Sequence, residues 1–181
     1  MKYKILPTII VATTLSTSGN VIANSAGDTY LGIQYAIGDY SEPDIPDFSP
    51  TALVGRFGGF VHPNFAFEGR FGIGIKDDTQ NVFGFDTTLE LDTLVGLYGV
   101  GHLYITESSS VYGLIGFSGV DGAVTVAGSP DSESDSETDL SYGVGANIGI
   151  TKNIGLNAEY ISYISKDFDL NAIGFGVVIG F

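Results

Sequence analysis

The amino-acid sequence predicts an all-β fold, an eight-stranded antiparallel up-and-down transmembrane β-barrel, and three observations support this prediction. Apolar side chains recur at every second position through most of the chain, which is the period of a β-strand. After the N-terminal segment no stretch approaches the roughly 18 continuous apolar residues of a membrane-spanning helix, although 44% of the residues are hydrophobic. The connections between the alternating stretches are short and long in turn, as in barrels that cross a membrane.

The N-terminus has the pattern of a secretory signal peptide. Two lysines precede an apolar stretch over residues 5–15, and small residues then lead to Ala23. The apolar stretch is too short to span a membrane. We therefore predict a signal peptide over residues 1–23 and a barrel domain over residues 24–181, with Ala26 as the alternative cleavage position.

Composition excludes several classes of function. The chain has 21 acidic and 7 basic residues and a formal net charge of −14, so it lacks the basic surface that a nucleic-acid partner needs. It contains no cysteine, which excludes disulfides, a thiolate nucleophile and a zinc–cysteine site. We expect no cofactor.

The first three predicted strands show the alternation most clearly. They cover residues 30–39, 52–61 and 65–75. In the second strand Leu53, Phe57 and Val61 share a face with Gly55 and Gly59, and Arg56 lies on the opposite face. The apolar face of the third strand consists of Phe65, Phe67, Phe71, Ile73 and Ile75. The charged residues of the hairpin formed by strands two and three all lie on the opposite face, and they are Arg56, Glu68 and Arg70.

Five further strands follow. The fourth covers residues 87–105, the fifth begins at Val111, the sixth covers residues 142–150, and the eighth ends the chain at Phe181. One face of the fourth strand carries Leu89, Leu91, Val95, Leu97 and Leu103. The other face carries Glu90, Asp92, Tyr98, His102 and Tyr104. The seventh strand places Ala158, Tyr160 and Ile164 opposite Asn157 and Glu159.

The connections divide into two kinds. Strands two, four and six are followed by short turns, whereas strands one, three and five are followed by long polar segments at residues 41–47, 76–86 and 121–139. The core of the last segment, residues 129–137, is a low-complexity run of serine and acidic residues. Such a composition predicts a mobile, solvated loop.

The two faces of the strands favour a membrane barrel over a soluble one. Strands can cross hydrocarbon only when a closed barrel pairs every backbone polar group. The outer face is then apolar and the inner face polar, the reverse of a soluble β-protein. The glycine-rich faces here offer little to fill a soluble core, and a soluble sandwich or lipocalin-like barrel has no reason to sort its loops by length.

The last strand carries a further indication. Gly174, Gly176 and Ile179 lead to an aromatic C-terminal residue, Phe181. This ending resembles the assembly signal that the barrel-assembly machinery of the outer membrane recognises.

Three stretches resemble a known family. The run over residues 54–71, VGRFGGFVHPNFAFEGRF, is similar to the second hairpin of OmpA-like and OmpX-like small outer-membrane barrels. Residues 104–107 with 111–113 resemble their central hairpin, and residues 150–154 with 159–160 their last short turn. The resemblance extends over nearly all of the predicted barrel domain. It implies the architecture and a location in the outer membrane of a Gram-negative cell.

The candidate site is a polar cluster inside the predicted barrel. Its members are Arg56, Glu68, Arg70, His102, Asn147, Asn157 and Glu159. The hairpin register places Arg70 roughly opposite Arg56, with Glu68 on the diagonal. Buried acids need partners, so this hairpin predicts a satisfied salt-bridge cluster. Glu90 and Asp92 are expected above the membrane instead.

The resemblance and the sequence differ at the centre of the barrel. In OmpA-like barrels a cluster of acids and bases plugs the lumen, and Glu68 matches the family's acid on strand three. The other matching positions are Val100, Asn147 and Asn157, which are uncharged. The charged cluster that plugs the lumen of OmpA-like barrels is therefore not reproduced in this sequence. The sequence is compatible with a plugged lumen and with a path for ions.

Enzymatic and metal sites have little support. Lipid A-modifying barrels use serine, histidine and an acid, but neither His62 nor His102 has a serine arranged for nucleophilic attack. The acidic run lacks the spacing of a calcium loop. We therefore expect neither an enzyme nor a metal site.

The sequence as a whole predicts a monomeric, non-enzymatic outer-membrane protein that presents acidic external loops, in envelope integrity or adhesion. A narrow porin-like diffusion channel is the alternative, and a lipid A-modifying enzyme is a remote one. The expected partners are outer-membrane lipid, lipopolysaccharide, the assembly machinery and an unidentified surface ligand, but no nucleic acid.

Overall fold

A computed structural model of the protein describes residues 25–43, 45–128, 132–166 and 168–181. The predicted signal peptide lies outside these residues. Within them the chain forms nine strands: β1 (Thr29–Ser41), β2 (Thr51–His62), β3 (Phe65–Lys76), β4 (Asp78–Val82), β5 (Phe85–Thr106), β6 (Ser109–Val126), β7 (Ser132–Gly149), β8 (Ile154–Ser165) and β9 (Asp169–Gly180). No helix in this part of the chain is long and apolar enough to cross a membrane.

The strands form one closed antiparallel barrel. Strands adjacent in sequence pair with each other, except that β3 and β4 both pair with β5, and β1 pairs with β9. The pairing of β3 with β5 completes the ring. After Asp77, β4 pairs with β5, the same strand that pairs with β3. Because β4 is thus a continuation of β3, the barrel wall has eight strands. The predicted all-β up-and-down barrel is thus confirmed, and the ninth strand is an extension of the third.

One end of the barrel carries short turns and the other carries long hairpins. The short-turn end joins β2 to β3, β5 to β6 and β7 to β8. At the opposite, extended end, β4 to β7 continue beyond the last β3–β5 pair, which joins Ile73 to Thr93. We call this four-stranded projection the extension sheet.

The extension sheet corrects the predicted loops. Residues 76–86 and 121–139 were expected to be polar connections, the second of them mobile. Instead, β4 pairs with the start of β5, and β6 pairs with β7 as far as Thr125 and Ser132, with residues 129–131 outside the described part. The alternation signal was absent because both faces of this sheet meet water, so neither had to be apolar.

Two β-bulges reverse the predicted faces of short segments. Between Leu91 and Thr93 the register of β5 shifts, and Leu91 consequently packs against the buried core instead of sharing the outer face of Val95. A second shift between Ser162 and Ile164 leaves Ile164 fully buried. An extra residue in one strand turns the following side chains to the other face, which strict alternation could not predict.

Elsewhere the two faces of the wall are as predicted. Leu97 is 73% exposed while its neighbour Tyr98 is 3% exposed, and Phe67 is 67% exposed next to Glu68 at 1%. Large apolar side chains are exposed on all eight strands of the wall. A continuous apolar belt of this kind is the surface that lipid covers in a membrane barrel.

The lumen differs in polarity from one level to another. Toward the extended end it is filled by buried apolar residues, among them Ala36, Ala52, Val54, Leu94, Ile161, Leu170 and Ala172. Tyr40 contacts both Phe48 and Phe168 above them, with ring centroids 6.3 Å and 4.9 Å away. The middle of the lumen is polar and contains the candidate site.

Candidate functional site: the ion-pair network of the lumen

Two arginines and two glutamates form a closed network in the middle of the barrel. Nη2 of Arg56 lies 2.7 Å from Oε2 of Glu68, and Nη2 of Arg70 lies 2.7 Å from Oε1 of the same carboxylate. Arg70 also donates through Nη1 and Nη2 to the two oxygens of Glu159, at 2.5 Å and 2.8 Å. The two formal positive charges balance the two negative charges, and all four side chains are buried.

Strand register brings the first three of these residues together. Arg56 on β2 is the direct cross-strand partner of Arg70 on β3, and Glu68 pairs with Gly58, one step along the same face. Like charges directly opposite repel each other. Glu68 offsets that repulsion because it accepts hydrogen bonds from both guanidinium groups.

Neutral side chains complete the network. Tyr30 donates its hydroxyl proton to Glu68 at 2.6 Å, and Tyr112 donates to Glu159 at 2.6 Å. Oδ1 of Asn157 accepts from Nη1 of Arg56 at 2.9 Å. The amide nitrogen of Asn157 donates to Tyr112 at 2.8 Å. Buried charges are tolerated only when their remaining donors and acceptors are satisfied in this way.

Further contacts tie the network to the opposite wall. The guanidinium of Arg70 lies 4.8 Å from the centre of the Tyr98 ring, within the range of a cation–π interaction. The Tyr98 hydroxyl lies 2.5 Å from Oγ of Ser118. Ser141 donates its hydroxyl proton to the backbone oxygen of Tyr163 at 2.9 Å and lies 2.6 Å from Ser118.

Glycines on the inner faces make room for the tyrosines. A Cβ atom on Gly58 would overlap the ring of Tyr30, and one on Gly145 would overlap the ring of Tyr112. The large rings therefore lie over positions that have no side chain, which allows them to reach the carboxylates at the centre.

The structure brings six of the seven predicted cluster residues together. Arg56, Glu68, Arg70, Asn157 and Glu159 are directly linked, and Asn147 accepts a hydrogen bond from Asn157 at 2.8 Å. His102 lies apart, toward the short-turn end, with its ring centroid 5.1 Å from Phe60 and 5.3 Å from Tyr112. Its Nε2 is buried and has no hydrogen-bond partner.

Sequence reasoning missed several members of the network, namely Gln34, Tyr30, Tyr98, Tyr112, Ser118 and Ser141. Their positions on inner faces were a usable signal, because a buried tyrosine hydroxyl usually finds a polar partner. At the positions matched to the charged cluster of OmpA-like barrels, Val100 is buried and uncharged. The second acid of the cluster comes instead from Glu159 on β8.

The predicted assembly residues lie along β9. Gly174 and Gly176 face inward beside Gln34, whereas Ile179 and Phe181 face outward. The backbone of Phe181 exchanges hydrogen bonds with Thr29, at 2.8 Å and 3.3 Å, and so extends the β1–β9 seam.

Two small cavities lie inside the lumen. One cavity of about 20 Å³ lies beside His102 and Arg56, and another of about 20 Å³ lies among the apolar side chains near Leu94. Each has room for about one water molecule. Within the described residues no group of histidine and acidic side chains is arranged to hold a metal ion.

Comparison with known proteins matches this architecture. The model of a family described as outer membrane protein beta-barrel domain matches residues 8–181. Among solved structures, the attachment invasion locus protein Ail of Yersinia pestis is 20% identical, with a TM-score of 0.63 over 86% of this chain and 99% of Ail. Neisserial surface protein A is 15% identical, with a TM-score of 0.66 over 86% and 99% of the two chains.

A third similar structure is the outer membrane protein OprG of Pseudomonas aeruginosa. It is 13% identical, with a TM-score of 0.65 over 90% of this chain and 99% of OprG. At these identities the likeness concerns the fold. No curated protein matches the sequence.

Proposed function

This chain belongs to the outer membrane protein beta-barrel domain family, and we propose that it is a non-enzymatic scaffold whose closed barrel holds acidic hairpins outside the cell. It is an outer-membrane protein by its family. The observation that carries the scaffold proposal is the filled lumen, in which an ion-pair layer and an apolar layer lie in series.

Each layer opposes the passage of ions in a different way. In the polar layer, a permeating ion would have to separate Glu68 or Glu159 from arginines that lie 2.5–2.7 Å away. In the apolar layer, an ion would lose its hydration among side chains such as Leu94 and Ile161, which provide no replacement ligands. These two barriers support a plugged barrel over a diffusion channel.

The external position of the extension sheet supports a role in surface presentation. Membrane barrels of this family type place short turns in the periplasm and long loops outside. The β6–β7 hairpin is paired over its whole described length, so it can hold a surface at a fixed distance from the membrane. Ail is named for attachment and invasion, and a stiff hairpin would suit an adhesive role in this chain too.

The histidines support the non-enzymatic part of the proposal. His62 is exposed at the end of β2, where its Nδ1 accepts a hydrogen bond from the backbone amide of Asn64. His102 is enclosed by aromatic rings. Neither has a serine as a hydrogen-bond partner among the contacts described, so the arrangement of a nucleophilic triad is missing from this part of the chain.

Export and assembly complete the proposal. The chain would lose residues 1–23 at the inner membrane, and the assembly machinery would recognise the strand that ends at Phe181. It would then function as a monomer, because the barrel closes on itself and needs no partner strand.

Single-channel recording of the refolded protein in planar bilayers tests this function. Folding is first verified by different migration of boiled and unboiled samples on a detergent gel. We expect a silent bilayer, with a pore-forming barrel reconstituted in parallel as the positive control. Discrete, reproducible current steps would overturn the scaffold proposal and favour a narrow channel.

A further inference from the structure

The tip of the β4–β5 hairpin has an unusual residue in its turn. Phe83 and Gly84 connect the two strands and have φ angles of 52° and 93°. Two successive positive φ values are typical of a type I′ turn, for which Asn-Gly and Asp-Gly are the preferred pairs. Phe83 is the only residue other than glycine with a positive φ in the described part of the chain.

Local stability does not explain this phenylalanine. A bulky side chain is sterically disfavoured in the left-handed region. The ring of Phe83 is 80% exposed, so its burial contributes little stability to offset the steric cost of this backbone conformation. The turn is meanwhile held by Asn81, whose Oδ1 accepts the Gly84 amide at 3.1 Å and whose Nδ2 donates to Asp86 at 3.0 Å.

Lipid does not explain the exposed ring either. Phe85, at the start of β5, is 61% exposed, so the tip carries a second exposed aromatic ring two residues after the first. Thr93 belongs to the last β3–β5 pair and lies eight residues from Phe85 along β5. At about 3.3 Å per residue, Phe85 lies roughly 26 Å along the strand from that pair, so the tip lies well beyond the end of the β3–β5 pairing even with a strand tilt of about 35–45°.

The charge around the tip restricts the partner. Residues 77–92, which include the hairpin, contain five acidic residues and no lysine or arginine, and the acids are Asp77, Asp78, Asp86, Glu90 and Asp92. Lys76 precedes this run at the end of β3. An anionic lipid surface would be repelled by these carboxylates, and so would a second copy of this acidic chain. A partner with positive charge next to apolar groups is complementary to both features.

We propose that Phe83 and Phe85 form an apolar anchor for a cationic polypeptide outside the cell. The two rings contact apolar side chains of the partner, because exposed aromatic residues provide large contact areas at a small entropic cost. Asp86 beside the tip and the carboxylates nearer the base of the hairpin attract the partner's lysines and arginines and raise the association rate. A strained backbone position that carries an exposed aromatic ring points to a role in binding, because strain of this kind clusters at functional sites. This inference rests on the proposed scaffold function, which holds the hairpin outside.

A peptide-binding measurement on the full-length barrel in phosphatidylcholine nanodiscs tests the proposal. The probe is a short, labelled synthetic peptide of lysine, serine and leucine, and its binding to empty nanodiscs is subtracted. We expect Phe83→Asn to weaken binding at least tenfold and to leave the unfolding midpoint unchanged or higher, since asparagine suits the turn. Phe83→Tyr, which keeps the ring, should retain most of the affinity.

A matched pair of charge variants tests the electrostatic part. Glu90→Gln, in the extension sheet, should weaken peptide binding at low salt. Glu107→Gln, at the short-turn end of the same strand pair, should leave binding unchanged. A second peptide with glutamate in place of lysine should not bind.

Several results would overturn the inference. These are equal affinity of Phe83→Asn and the natural protein, a lower unfolding midpoint of that variant, equal binding of the glutamate peptide, and Phe83-dependent attachment to phosphatidylcholine vesicles. Current steps in the bilayer experiment would overturn the scaffold function but would leave the peptide result standing. The failures of the two proposals are therefore distinguishable.

Discussion

Arg70 on β3 and Glu159 on β8 form a two-pronged ion pair across the lumen, although 89 residues separate them in sequence. The two strands lie on opposite sides of the eight-stranded wall. Both side chains are at most 1% exposed. The pair therefore connects opposite walls of the barrel directly through its centre.

Removal of one charge from this pair should destabilise the barrel strongly. In Glu159→Gln, Arg70 keeps Glu68 but loses its second carboxylate, and breaking a buried pair costs about 3–5 kcal/mol. Urea unfolding in lipid vesicles, followed by circular dichroism, measures the change in free energy. Glu137→Gln is the control, because its pair with Lys166 at 3.4 Å is exposed and contributes about 0–1 kcal/mol. Equal effects of the two variants would contradict the prediction.

A methyl group at Gly145 should disturb the network without changing any charge. Its Cβ would overlap the Tyr112 ring and lie 2.8 Å from the backbone oxygen of Ala158, so Gly145→Ala should cost about 1–3 kcal/mol through overpacking. Gly113→Ala is the matched control, since its Cβ would lie 3.9 Å from the nearest atom, on the outer face. The same unfolding assay compares the two variants. An unchanged free energy of unfolding for Gly145→Ala would show that the Tyr112 ring does not depend on the space above this glycine.

Deletion of Phe181 should reduce assembly in the outer membrane. The residue supplies both backbone hydrogen bonds to Thr29 at the β1–β9 seam and an exposed ring at the chain terminus. The yield of heat-modifiable protein in outer-membrane fractions measures the effect. Phe181→Tyr keeps the backbone and the ring and should assemble normally. Unchanged surface levels after the deletion would remove the assembly role of this residue.

Acidification should release a contact between the loop after β1 and the extension sheet. Hydrogen bonds from the Gln80 side chain, at 3.0 Å, and from the Ser49 amide, at 2.9 Å, lower the pKa of Asp78 below its ordinary value of 3.8. A lowered pKa in the folded state means that the contact stabilises the protein above pH 3.8 and is lost as the pH falls through the folded value. The Ser49 amide resonance should therefore titrate with a midpoint below 3.8.

The matched variant for this titration is Asp78→Asn, in which the Ser49 resonance should not titrate in the acidic range. A midpoint at or above 3.8 in the natural protein would mean that these hydrogen bonds do not lower the pKa of Asp78 in solution.

Sequence reasoning succeeded where the contrast between the two faces is strong and local. The alternation around Phe67 and Glu68 predicted which side meets lipid, because hydrocarbon requires a continuous apolar face. The neighbourhood of Arg56, Glu68 and Arg70 also followed from one short hairpin, whose register is fixed by its tight turn. The extension sheet was missed because water on both sides of it places no such demand on its residues.

The sequence by itself determined the class of fold, the sorting of short and long connections and the charges available to the lumen, since these depend on periodicity and composition. Only the tertiary structure decided that Glu159 joins Arg70, that a bulge turns Leu91 inward and that Phe83 is exposed at the end of a paired hairpin. These features depend on closure of the barrel and on the exact register between strands. A shift of one residue in that register reverses the direction of every side chain beyond it.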